Sequence, residues 1–166
     1  AVFIKNLNTG KEKRVKTLGR KLINQEVYES IPLLSWKDNN TLGIVGAKSG
    51  ALYMWLYEVS SKSMLRQDLS RFNQINSFSF NEGGSVAVLS ADMNGQSDIF
   101  LLSLRRNAVK RITNDIFDDN YPKFIPNSTA IVFSSNRNTD TLRVGQVNLS
   151  DIKGNHNLFL IFVKWI

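Results

Sequence analysis

Three aspartates in one turn, Asp115, Asp118 and Asp119, are the densest set of hard oxygen ligands in this 166-residue chain. Carboxylates grouped in this way interest cations such as calcium, which need several converging oxygens. The spacing is not that of a calcium loop, however, and no glutamate closes the group. The expectation is structural: Asp and Asn side chains bond nearby backbone amides and fix a crossing of the chain. Asn136 and Arg137 are expected to cap strand ends or to pair with those carboxylates. His156 is the only histidine, set between Gly154–Asn155 and Asn157. No Gly-x-Ser-x-Gly nucleophile elbow accompanies it, so a hydrolase triad is not contained in these residues. There is no phosphate-binding glycine loop. The absence of cysteine excludes disulfides, thiolate metal sites and Cys nucleophiles. No catalytic residue, metal or cofactor is expected within this stretch.

Charge is the second chemical signal. The net charge is +7, and nearly all of it lies in residues 1–21, where Lys5, Lys11, Lys13, Arg14, Lys16, Arg20 and Lys21 oppose Glu12 alone. A basic patch of Lys11, Lys13, Arg14 and Lys16 would steer anionic partners. The simpler reading of KEKRVK is an exposed outer strand whose lysines discourage edge pairing. In sequence no aromatics interleave with these cations, as a nucleic-acid stacking platform would require, and no nucleic-acid partner is expected. The longest apolar run, Leu158–Val163, falls far short of the ~20 residues of a membrane helix, so no transmembrane segment is expected.

The elements that must position these residues announce themselves by repetition. Trp36, Phe80 and Phe124 are 44 residues apart each time. The ten residues from each read WKDNNTLGIV, FNEGGSVAVL and FIPNSTAIVF: an aromatic, a polar turn, Thr or Ser, then apolar or small residues. A period between about 20 and 50 residues signals a solenoid, propeller or array. The expected fold is all-β, a β-propeller segment of four-stranded antiparallel blades, two complete and two partial. The blades are expected at about 1–18 (partial), 31–69, 75–113 and 120–166 (partial, with a loop at 138–158). A closed propeller needs about 4–8 blades, so the remaining blades are expected from the rest of a longer chain or from another subunit.

In chain order, Ala1–Leu7 alternates as a strand, Asn8–Gly10 turns, and Lys13–Leu18 is an outer strand. The second blade is expected at Ile31–Trp36, Thr41–Lys48, Ala51–Val59 and Met64–Leu69. Small residues in TLGIVGAK suit a close approach of neighbouring sheets, and Ser49–Gly50 is a two-residue hairpin signal. The third blade is expected at Ile75–Phe80, Ser85–Ala91, Ser97–Leu104 and Val109–Thr113, with Asn94–Gly95 as the strongest hairpin cue. Gly and Asn punctuate the sequence every eight to ten residues, which leaves no helical stripe.

NGQSDIFLLSL, followed by KRITNDIFDDNYPKFIPNSTAIVFSSNR, resembles the repeat of TolB-type β-propellers. The positions that carry the resemblance are Gly95, Asp98, Ile99 and Phe100; Ile112, Thr113 and Asn114; Asp118, Asp119 and Pro122; and Ile131 through Arg137. The match is dense over Ile75–Arg137 and is only a pattern over Ile31–Leu69. Two departures stand out: Asn127–Ser128 replaces the usual Asp-Gly turn, and a polar stretch follows Arg137. The resemblance implies a non-catalytic scaffold in the periplasm or cell envelope, whose propeller contacts protein partners. Similar repeats also form propeller lids of prolyl-oligopeptidase-like peptidases, so the alternative expectation is a propeller subdomain of such a peptidase or of a sugar-active enzyme, with the catalytic residues outside this segment.

Overall fold

A computed structural model describes residues 1–18, 31–136, 146–148 and 157–163. Arg137, His156 and most of the stretch 138–158 lie outside the described residues. Every regular element described is a β-strand, and the strands group into four sheets. The first contains β1 (Val2–Lys5) and β2 (Glu12–Lys16). The second contains β3 (Leu33–Trp36), β4 (Thr41–Lys48), β5 (Ala51–Glu58) and β6 (Met64–Asp68). The third contains β7 (Gln74–Phe80), β8 (Val86–Asp92), β9 (Ser97–Ser103) and β10 (Ala108–Arg111). The second and third sheets are both up-and-down meanders, each strand antiparallel to the one before.

The fourth sheet begins in the same way, with β11 (Asp119–Phe124) antiparallel to β12 (Ile131–Ser135). It then departs from the meander. Two further strands, β13 (Gln146–Asn148) and β14 (Asn157–Val163), join in the order β11-β12-β14-β13, with β14 parallel to β12. The stretch expected as one loop over 138–158 therefore contains β13 and the start of β14. A parallel neighbour cannot be reached by a tight hairpin, and the long polar connection after β12 supplies the needed length.

Alternation of side chains across each strand decides which sheet covers which. Val45, Met54 and Leu56 of the second sheet pack against Phe78, Ala87, Leu89, Ala91, Phe100 and Leu102 of the third. The other face of the third sheet, Val88, Ile99 and Leu101, meets Ile131 and Phe133 of the fourth. The other face of the second, Leu42, Ile44, Trp55 and Tyr57, meets Val2 and Leu18. β9 is buried along its whole length, as a strand covered on both faces must be.

Glycine sets the closest approach. A Cβ on Gly43 would lie 2.6 Å from the Phe80 ring and 3.0 Å from that of Phe78. One on Gly46 would lie 2.8 Å from Leu18. The Ser49–Gly50 hairpin has both residues at positive φ, 53° and 82°, as a type I′ turn requires.

The ungapped repeat slips by one residue at the first turn. Trp36 pairs with Leu42, whereas Phe80 pairs with Ala87 and Phe124 with Ile131. The turn after β3 closes from Lys37 N–H to Thr41 C=O; those after β7 and β11 close from Asn81 to Val86 and from Ile125 to Ala130. Gly43 thus faces the following sheet, whereas Ala87, its partner in the ungapped alignment, faces the preceding one. A one-residue shift exchanges the two faces of a strand.

Candidate binding cleft at the head of the innermost strands

β3, β7 and β11 are the innermost strands, and each ends on one of the 44-residue repeat positions, Trp36, Phe80 and Phe124. Their opposite ends, where the strands begin, enclose a cleft of about 670 Å3. The apolar floor comes from Leu33, Val45, Leu52 and Ile75; the polar wall comes from Asn73, Gln74, Asn76, Asn120 and Tyr121. No carboxylate, histidine, lysine or arginine is among the described residues lining it.

The wall is fixed by the seam between the third and fourth sheets. Asn76 Nδ2 donates to Asn120 Oδ1 at 3.4 Å and to Ser97 Oγ at 3.0 Å. Ser90 and Ser97 hydroxyls lie 2.9 and 3.0 Å from Asn120 Oδ1, and both lie 3.1 Å from the Asp119 carbonyl. Ser79 Oγ donates to the Pro122 carbonyl at 3.0 Å. Buried hydroxyls need such partners, because an unsatisfied one costs about 1–3 kcal/mol. This network holds β11 against β7 and fixes where Asn120 and Tyr121 stand.

Tyr121 is two-thirds exposed and has φ of 55° at the point where the β11–β12 register shifts. A bulky residue in the left-handed region is an outlier that the surrounding structure must impose. Here buried Pro122 follows it, and the anchored Asn120 precedes it. The bulge leaves Tyr121 exposed at the wall of the cleft rather than buried in the seam.

The aspartates do not converge on a common point. Asp115 Oδ1 accepts from Phe117 N–H at 3.0 Å, and Asp118 Oδ1 accepts from Ser97 N–H at 3.3 Å. Asp119 is fully buried beneath the serine network. Asn136 Oδ1 accepts from Asp118 N–H at 2.9 Å. Among the described residues no group of three or more His, Cys, Asp or Glu is arranged to hold a metal ion. Asp98, another position of the repeat, is buried and pairs with Arg111; Thr113 Oγ1 donates to it at 3.2 Å and accepts from Ile99 N–H at 3.0 Å. That cluster ties the end of β10 to β9.

The basic residues find aromatic partners that the linear sequence conceals. Lys13 Nζ donates to Tyr57 Oη at 2.9 Å, Lys16 Nζ lies 4.4 Å from the Trp55 ring centre, and Arg66 lies 4.8 Å from that of Tyr53. Burial, and then the charges of Lys48 and Arg66, push the Lys16 pKa down. Trp55 and Tyr57 are buried under the lysine stems, so their faces are occupied by cations and closed to stacked bases. Lys11 and Arg14 remain exposed. Only the alternation of Tyr53, Trp55 and Tyr57 in ALYMWLYE hinted at this ladder. For the cleft, the available signal was the pair Asn76 and Asn120, also 44 residues apart and four residues before Phe80 and Phe124.

Solved structures share this architecture. A protein assigned as TolB from Agrobacterium tumefaciens superposes with a TM-score of 0.56 at 16% identity, over 72% of this chain and 43% of that one. The fold is TolB-like. TolB from Acinetobacter baumannii also superposes with a TM-score of 0.56, at 12% identity, over 80% of this chain and 34% of its own. The chain thus spans less than half the length of either structure. No protein-family model matches it, and no curated protein matches it. Its all-β fold is that of a TolB-like β-propeller segment, and no helix among its described residues is long and apolar enough to cross a membrane.

Proposed function

We propose that this segment belongs to a non-catalytic propeller scaffold that holds a protein partner at the cleft, in the periplasm or cell envelope. The observation that carries the reading is the lining: amides and a phenol over an apolar floor, with no charged side chain among the described residues that line it. General acid–base work needs a titratable side chain poised near the operating pH. Uncharged donors and acceptors beside aliphatic carbon instead suit an extended peptide, whose backbone they can hydrogen-bond while its side chains fill the floor. The localisation rests on the TolB-type repeat and its resemblance. The blade division at 1–18, 31–69, 75–113 and 120–166 belongs to the same proposal, as do further blades beyond these residues.

A photo-crosslinking residue in place of Tyr121, in cells, tests it. The expected result is one discrete crosslinked protein in the envelope fraction, absent when the probe replaces the exposed outer-strand residue Leu65. Equal products at both positions, or none at Tyr121, would contradict the proposal.

A further inference from the structure

The face that the second sheet turns toward the first gathers positive charge from three strands. Strand alternation sets Gly46 and Lys48 of β4 on that face, and cross-strand pairing sets Arg66 of β6 beside Trp55 of β5. Leu18 lies against Gly46, and Lys16, two residues before it, reaches across to the Trp55 ring. Lys16 and Arg66 thus converge on one residue from two sheets, with Lys48 on the neighbouring strand. Lys16 is half-buried; Lys48 and Arg66 are exposed.

The fold divides the basic patch seen in the sequence. Arg14 pairs with the exposed Phe3, on the face of β2 opposite to Lys13 and Val15, and Lys11 precedes the strand. Lys48 and Arg66, distant in sequence, join Lys16 instead. Among the described residues no carboxylate forms an ion pair with any of these three. Asp68 stands two residues beyond Arg66 and feels its charge, but its Oδ1 accepts from Ser70 N–H at 2.8 Å.

Like charges brought together disfavour one another, and the lowered Lys16 pKa registers this beside the larger effect of burial. An anion among the three relieves that cost. Arg66 lies 4.8 Å from the Tyr53 ring centre, and a guanidinium stacked by its face keeps its N–H edge for a bidentate acceptor. Three cations in so compact a set suit one doubly charged tetrahedral group. A phosphomonoester, at about −1.5 to −2 near neutral pH, is such a group; a nucleic-acid backbone or a bilayer instead presents rows of singly charged diesters.

We propose that Lys16, Lys48 and Arg66 form a binding site for a phosphomonoester group. Arg66 supplies the fork, and the two ammonium groups neutralise the remaining charge. The site shares no residue with the lining of the cleft and does not depend on it.

Calorimetric titration of the full chain with glycerol 3-phosphate, at constant ionic strength, tests the proposal. The expected result is saturable binding that Lys16→Gln, Lys48→Gln and Arg66→Lys each weaken roughly tenfold, the scale of one charge-assisted hydrogen bond. Arg66→Lys keeps the charge at an exposed position, so its effect reads the fork and not the fold. Lys11→Gln and Arg14→Gln should leave the affinity unchanged, and inorganic phosphate should compete. No saturable binding, or equal weakening by all five substitutions, would overturn the proposal. So would binding to phosphatidylglycerol vesicles without binding to glycerol 3-phosphate, which would make a lipid surface the ligand.

Discussion

Asp38 shows how a single side chain steadies a turn between repeat strands. Its Oδ1 accepts from the backbone N–H groups of Asn40 and Thr41 at 2.8 and 2.7 Å, and Oδ2 meets Lys37 Nζ at 2.9 Å. The Lys37 ammonium first, and then these amides, hold its pKa down at about 2. An unfolded aspartate titrates near ~3.9. The contribution is therefore complete above that value and is lost as pH falls towards 2. A carboxyl-carbon NMR titration should place Asp38 well below the ordinary aspartates, and Asp38→Asn should flatten the stability profile over that window. Tyr121 is the opposite case, a residue placed against local preference. Relief of its positive φ is worth about 1–2 kcal/mol, offset in part by the entropy of glycine, about 0.5–1 kcal/mol. Tyr121→Gly is expected to leave the thermal midpoint level or slightly raised while the partner is lost. A marked fall in stability would show that the phenol serves packing instead.

At the scale of the element, β4 bears the tightest constraint. A methyl on Gly43 must displace the Phe80 ring and press on Phe78. Overpacking of this kind costs about 1–3 kcal/mol, so Gly43→Ala should lower the urea midpoint at unchanged slope, the shift multiplied by that slope giving about 1–3 kcal/mol. Gly50→Ala meets no neighbour within 4 Å and should lose only the cost of its positive φ. The strands themselves were readable from the sequence because each is short, apolar and bounded by Gly, Asn or Ser. Ala51–Val59 was expected and Ala51–Glu58 is present; Ile75–Phe80 was expected and Gln74–Phe80 is present. The register at Leu42 was not readable, since the turn Asn81–Ser85 carries one more residue than Lys37–Asn40 and an ungapped alignment hides it. Nor was the cleft, whose lining is gathered from five strands of three sheets, β3, β4, β5, β7 and β11. The lysine–aromatic ladder was concealed for the same reason, with its cations on β2 and β6 and its rings on β5. The place of β14 beside β12 followed from no pattern in the sequence.

In the whole molecule, each sheet is the cover of the next, and none is independent of its neighbours. β9 is buried on both faces because the second and fourth sheets flank its own, while Leu34 and Trp36 on β3 stay about half exposed. Quasi-one-dimensional stacking of this kind makes stability a sum of interfaces, and the cleft lies where strand ends converge rather than within any one sheet. The central claim is that the chain lays one sheet against the last every 44 residues or so. Nuclear Overhauser contacts test it most directly: cross-peaks are expected between the Gly43 α-protons and the Phe80 ring, and between Ser79 and Pro122 across the next seam. A spectrum without both, or with the sequential i to i+3 pattern of a helix over these strands, would contradict the account.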